Sequence, residues 1–81
     1  MIVRVQLFGP YAAAIGSDEV AIDAPEAVTS EQVLSLLGHQ HSQLVPLLQS
    51  ARLAVNHSFA VPGTVIGERD ELAVIGMVSG G

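Results

Sequence analysis

The constraint that bears hardest on this chain is its last apolar run. From Leu72 to Val78, Leu72, Val74 and Val78 share one face of an extended segment while Ala73, Ile75 and Met77 share the other. A strand that is apolar on both faces belongs in the interior of a sheet, or has its outer face covered by another molecule. The sheet around it must be small. The chain has 81 residues and no cysteine, so a single packed core must hold it without disulfides or thiolate metal sites. Charged residues make up only 14% of it, against a usual share of about 25%. So few charges imply that part of the surface is apolar and covered by a partner.

The rest of the chain supplies the neighbours of that strand. In residues 2–8, Val3, Val5 and Leu7 alternate with Arg4 and Gln6, which predicts a half-buried strand, and Phe8 falls on the polar side of it. Gly9-Pro10 ends this strand, and a short helical turn over Tyr11–Ile15 follows. After a turn at Gly16-Ser17-Asp18, Val20 and Ile22 alternate in a second strand, Glu19–Asp23, paired antiparallel to the first. The clearest helix start lies at Thr29, an N-cap with Gln32 at N3 as a capping box, and with Val28 and Val33 placed as a hydrophobic staple. Val33, Leu34 and Leu37 form its apolar stripe, and Gly38 is the expected C-terminal cap. Leu44, Val45, Leu47 and Leu48, around Pro46, read as an irregular or helical plug. Arg52–Val55 is a third strand, Asn56-His57-Ser58 its reversal and Phe59–Val61 the return. Thr64–Ile66 is a brief extended piece, and Gly67–Glu71 a solvated charged loop before the final strand. One helix on a mixed sheet, with both chain ends on central strands, is an α+β, β-grasp arrangement.

Charge narrows the function classes. The net charge is -5, from eight acids against Arg4, Arg52 and Arg69, which argues against nucleic acid or an anionic membrane as partner. There is no lysine, so the chain offers no side-chain amine for a Schiff base, a phosphate loop or an isopeptide bond. No apolar run suits a transmembrane helix and no signal-peptide pattern opens the chain, so a cytoplasmic protein is expected. His39 and His41 have a spacing that can serve a metal, but no cysteine or well-placed acid completes a set, and no metal is expected.

The chain closes on Val78-Ser79-Gly80-Gly81. Glycine has no Cβ, so such a terminus can pass through a narrow channel and carry its α-carboxylate into a partner's site. Extended, residues 77–81 would reach about 17 Å. The expectation is a β-grasp domain over residues 1–76 and a flexible reactive tail over 77–81.

Three stretches together resemble a known family: Leu53-Ala54-Val55-Asn56-His57-Ser58, then Asp70-Glu71-Leu72-Ala73-Val74-Ile75, then Val78-Ser79-Gly80-Gly81. They look like the MoaD family, the small subunit of molybdopterin synthase, within the MoaD/ThiS ubiquitin-like sulfur carriers. The opening strand and the Val28-Thr29 helix start extend the resemblance over essentially the whole chain. Two places depart from the family pattern. Gly76-Met77 stands where a Pro-Pro pair is frequent, and Glu68-Arg69-Asp70-Glu71 where Asp-Gly-Asp-Glu is frequent.

The resemblance implies a carrier role. Gly81 would be adenylated at the expense of ATP by a MoeB-like enzyme, converted to a thiocarboxylate with sulfur from a persulfide donor, and inserted with Gly80 into a MoaE-like large subunit. There it would deliver sulfur to cyclic pyranopterin monophosphate, within a heterotetramer of two small and two large subunits. The chain itself binds no cofactor in this reading, and catalytic residues are expected on the large subunit. Phe8, Phe59 and Ile75 are expected to form the docking patch, with Met77, Val78 and Ser79 continuing the contact toward the terminus. A ThiS-like carrier for thiamine biosynthesis, a ubiquitin-like modifier and an interaction module with an inert tail are the alternatives.

Overall fold

A computed structural model describes residues 1–76. The tail residues singled out above, Met77, Val78, Ser79, Gly80 and Gly81, lie outside the described residues. A five-stranded mixed sheet has the order β2-β1-β5-β3-β4, formed by β1 (Ile2–Leu7), β2 (Glu19–Asp23), β3 (Ala51–Val55), β4 (Ser58–Phe59) and β5 (Leu72–Gly76). Helix α1 (Gly9–Ile15) follows β1, helix α2 (Ser30–Gln40) follows β2, and a 3-10 segment, Ser42–Ser50, leads into β3. This is the ubiquitin-like β-grasp.

The two-sided apolar strand takes the central place. β5 runs parallel to β1, with Leu7 opposite Val74, and antiparallel to β3, with Leu53 opposite Val74. Leu72 and Val74 are almost wholly buried, in one cluster with Val5, Leu7, Val33, Leu37 and Leu53. Burial of each such side chain contributes on the order of 2 kcal/mol. Ala73 and Ile75, on the opposite face, are only half-buried within this chain.

Helix α2 begins as the capping box predicts. The Gln32 backbone N–H donates to Thr29 Oγ1 at 3.4 Å, and the Thr29 N–H donates to Gln32 Oε1 at 2.9 Å. Val28 and Val33 are both fully buried, as a staple requires. Its end differs from the expectation. Gly38 lies inside the helix, which runs on to Gln40 and is capped at His41, whose N–H donates to the Leu37 carbonyl. A Cβ at Gly38 would stand 3.4 Å from Leu48 Cδ1 and from Val45 Cγ2, so the glycine there allows the 3-10 segment to pack close against the helix. The extra turn is held by Gln40, whose amide accepts from the Asp23 N–H and donates to the Asp23 carbonyl, both at 2.9 Å. His41 Nε2 lies 3.1 Å from the Ala21 carbonyl oxygen.

Of the remaining elements, the plug and the brief extended piece form where expected and the return strand is shifted. The plug is the 3-10 segment, with Leu44 fully buried beneath it. The return strand is shorter than Phe59–Val61, because Val61 turns at Pro62-Gly63 and its carbonyl accepts from both the N–H and the hydroxyl of Thr64. Thr64–Ile66 is tied to the start of α2 by the Ser30 N–H to Thr64 and by the Ile66 N–H to Val28. No helix among the described residues is long and apolar enough to cross a membrane. Thr29→Ala is expected to cost about 1 kcal/mol through loss of the N-cap acceptor, read as a lower urea midpoint at unchanged slope; an unchanged midpoint would mean that the cap contributes nothing.

Candidate functional site

Strand alternation that buries Val5, Leu7, Leu72 and Val74 turns their neighbours onto the opposite face. Across that face, Gln6 stands opposite Ala73, Ala73 opposite Ala54, and Ala54 opposite Phe59. Two alanines in the middle of the row leave a floor without bulk, and larger side chains stand around it. The result is a depression of about 400 Å³ lined by Phe8, Phe59 and Ile75 together with Ala54 and Ala73. Phe8 is 53% exposed and Phe59 48%, high for aromatic rings with little polar character. The structure therefore brings together Phe8, Phe59 and Ile75, which lie far apart in the sequence.

Polar groups mark the rim. The Arg52 guanidinium lies over the Phe59 ring, with Cζ 4.3 Å from the centroid. Toward the Asn56-His57 turn, His57 Nε2 stands 3.2 Å from Glu71 Oε2. On β1, Arg4 is paired with Glu19 at 3.2 Å. The stacking of Arg52 on Phe59 was not anticipated from sequence. A two-residue turn at Asn56-His57 makes these two residues diagonal cross-strand neighbours, so the hairpin register was the signal that could have found it.

The charged loop before β5 is also more than a solvated turn. Asn56 and His57 both have positive φ, 51° and 71°, which gives the hairpin its tight reversal. The Asn56 N–H donates to the Glu71 carbonyl, and the Glu71 N–H donates to Asn56 Oδ1. Asn56 Nδ2 donates to Asp70 Oδ1 at 2.9 Å, and the Gly67 N–H donates to Asp70 Oδ2 at 2.7 Å. Asp70 thus clamps the β3–β4 turn against the entry to β5, and so holds Phe59 beside Ile75. The Gly67 N–H, and then the Asn56 amide, hold the Asp70 carboxyl below its ordinary value of 3.8.

Beyond Ile75 the sheet meets α1. The Tyr11 hydroxyl donates to the Leu47 carbonyl at 3.1 Å, and the ring lies so close to Gly76 that a Cβ there would be 3.2 Å from Tyr11 Cε2 and from the hydroxyl oxygen. Gly76, which replaces a frequent proline of the resembled family, therefore allows β5 to pass against a buried tyrosine.

Comparison with known proteins bears on what this surface serves. The model of the ThiS family matches residues 5–81. The chain belongs to the ThiS family. It is thus a ubiquitin-like domain of that family. Among solved structures, SAMP1 from Haloferax volcanii is 26% identical, with all of both chains covered and a TM-score of 0.81. A putative molybdopterin converting factor, subunit 1, from Pyrococcus furiosus is 19% identical over 96% of this chain and 99% of that one, with a TM-score of 0.81. A third match, in a protein-protein complex of subunits 1 and 2 of the molybdopterin-converting factor from Helicobacter pylori, is 23% identical over all of both chains, with a TM-score of 0.68. At under 25% identity the last two establish the shared fold. No curated protein sequence gives a significant match.

Because the folded state lowers the affinity of Asp70 for its proton, the clamp contributes stability that is fully present above the ordinary aspartate value and is lost as pH falls from there through the lower folded-state value. Asp70→Asn is therefore expected to unfold at lower urea concentration than the wild type at neutral pH. The two curves should converge only at a pH well below the ordinary aspartate value, once the lowered Asp70 carboxyl of the folded wild type is protonated as well. Urea midpoints measured across that range check this, and a constant gap down to low pH would show that the charge has no part in the clamp.

Proposed function

We propose that this ThiS-family chain is the sulfur-carrying small subunit of a molybdopterin synthase. The observation that carries the reading is the apolar depression on the open face of the sheet, reaching Ile75 on the strand that leads to the C-terminal Gly-Gly sequence. A large subunit seated there would lie against the strand that leads into the Gly-Gly sequence. The likeness to molybdopterin converting factor subunit 1, and to a complex of subunits 1 and 2, supports this assignment.

The chemistry follows from the carboxylate. A carboxylate is a poor electrophile, so a MoeB-like partner would use ATP to convert Gly81 to an acyl-adenylate, with release of pyrophosphate. A persulfide sulfur then displaces AMP, and a thiol cleaves the resulting S–S bond to leave the thiocarboxylate. That group is the nucleophile which, inside a MoaE-like subunit, attacks cyclic pyranopterin monophosphate. Acid and base catalysis come from the large subunit, and this chain supplies sulfur and docking surface.

A second reading has its own support, since SAMP1 is a small archaeal modifier protein by name and is 26% identical over the whole chain. A modifier would transfer Gly81 to lysines of other proteins. The two readings separate by intact mass after incubation with ATP, an activating enzyme and a sulfur source. A gain equal to the replacement of oxygen by sulfur, followed by molybdopterin formation when the large subunit is added, is the expected result. Protein conjugates without sulfur gain would favour the modifier.

Gly81→Ala and Gly80→Ala are expected to reduce adenylation or sulfur delivery sharply without changing the thermal midpoint, because a methyl group must enter a channel shaped for backbone. Near-normal turnover in both would defeat the proposal. Phe59→Ala and Ile75→Ala are expected to weaken large-subunit binding by about 2 kcal/mol in calorimetry, more than either lowers the domain's own stability. Wild-type affinity in both would place the docking surface elsewhere.

A further inference from the structure

The charges around the apolar depression are distributed unevenly. Arg52 stands on β3 directly opposite Ile75, at one end of the depression, with its guanidinium over Phe59. Glu71 and His57 stand at the other end, paired with each other. Arg4, the other arginine on this face, is held by Glu19. Among the described residues no carboxylate lies within ion-pairing distance of Arg52, although the chain carries eight acids and a net charge of -5. Stacking on a ring occupies the face of a guanidinium and leaves its in-plane N–H donors available, already aimed and with little rotamer freedom left to lose.

We propose that Arg52 is the charge-reading residue of this docking surface, and that the partner seated on Phe8, Phe59 and Ile75 presents a carboxylate to it. The reason is desolvation. A partner that covers Phe59 also removes water from the guanidinium stacked on that ring, and a cation covered without an acceptor opposes binding. A partner that binds well must replace the lost water with an acceptor, and a carboxylate fits the guanidinium fork in a bidentate way. A phosphate would meet the same fork, but the net charge of -5 repels a polyanion as a whole while permitting one carboxylate set in an apolar surface. The partner surface is therefore apolar at its centre with an acidic residue at the edge facing Arg52. The inference rests on the proposed carrier role only in the choice of partner protein.

The test uses the full chain with the molybdopterin-synthase large subunit of the same organism, by calorimetry at several salt concentrations. Arg52→Ala is expected to weaken binding by about tenfold, the loss of one charge-assisted hydrogen-bonded contact, with an unchanged thermal midpoint. The wild type should bind less tightly as salt rises and Arg52→Ala should show a flatter dependence, a difference that loss of packing alone would not produce. Arg52→Lys should fall between the two. Arg52→Glu should bind worst, and should regain affinity with a large subunit in which the facing acid is replaced by arginine. Wild-type affinity and salt dependence in Arg52→Ala, or failure of every acid-to-arginine replacement at the interface to restore Arg52→Glu, overturns the inference. If Arg52→Ala behaves as wild type while the wild type acquires and delivers sulfur, only this inference falls. If the wild type does not bind the large subunit, both it and the proposed function fall.

Discussion

The structure depends on the burial of β5 between β1 and β3. Leu72 and Val74 share one buried cluster with Val33 and Leu37 of α2, which are fully buried. The parallel pairing with β1 follows from this position, since the first and last strands must lie side by side with the crossover helix on one face. With one face of β5 committed to the core, its other face is left to Ala73 and Ile75. The apolar depression is thus a by-product of the same strand that makes the core, left open on the side opposite the helix.

The edges of the sheet offer little to an added strand. β2 lies at one edge, and there the Asp23 N–H and carbonyl are engaged by Gln40, with His41 Nε2 close to the Ala21 carbonyl oxygen. These contacts occupy groups that would otherwise accept another strand. At the opposite edge β4 is two residues long before Val61 and Pro62 turn away. A short strand closed by proline offers little template for pairing, so recognition by side chains on the open face is favoured over strand addition.

The position of Phe59 is set by polar contacts at a distance from it. The Asn56 and Asp70 hydrogen bonds fasten a hairpin whose tip would otherwise be held by a two-residue strand alone. Arg52 then covers the ring from the β3 side. Each of these contacts is exposed and weak singly, but together they hold an aromatic ring in place on the surface before any partner arrives. Preorganisation of this kind lowers the entropy lost on docking.

By itself the sequence determined the elements and which face of each would be buried. Alternation in β1 and β2, the Thr29-to-Gln32 capping box and the two-sided apolar run at 72–78 are local signals, and local physics suffices to read them. The grouping of Phe8, Phe59 and Ile75 was legible for the same reason, because period-two alternation assigns each to the open face once strand order is known. What the sequence left to the tertiary structure was every feature that depends on a distant neighbour. Gly38 reads as a helix end until the 3-10 segment packs on it and Gln40 finds the Asp23 backbone. The loop at Glu68–Glu71 reads as solvated until Asn56, 14 residues before Asp70, supplies its amide. Gly76 reads as a departure from a pattern until Tyr11 is seen against it. Each of these rests on a contact between residues brought together by the sheet, and a linear pattern carries propensity and periodicity but not the identity of the atom on the other side.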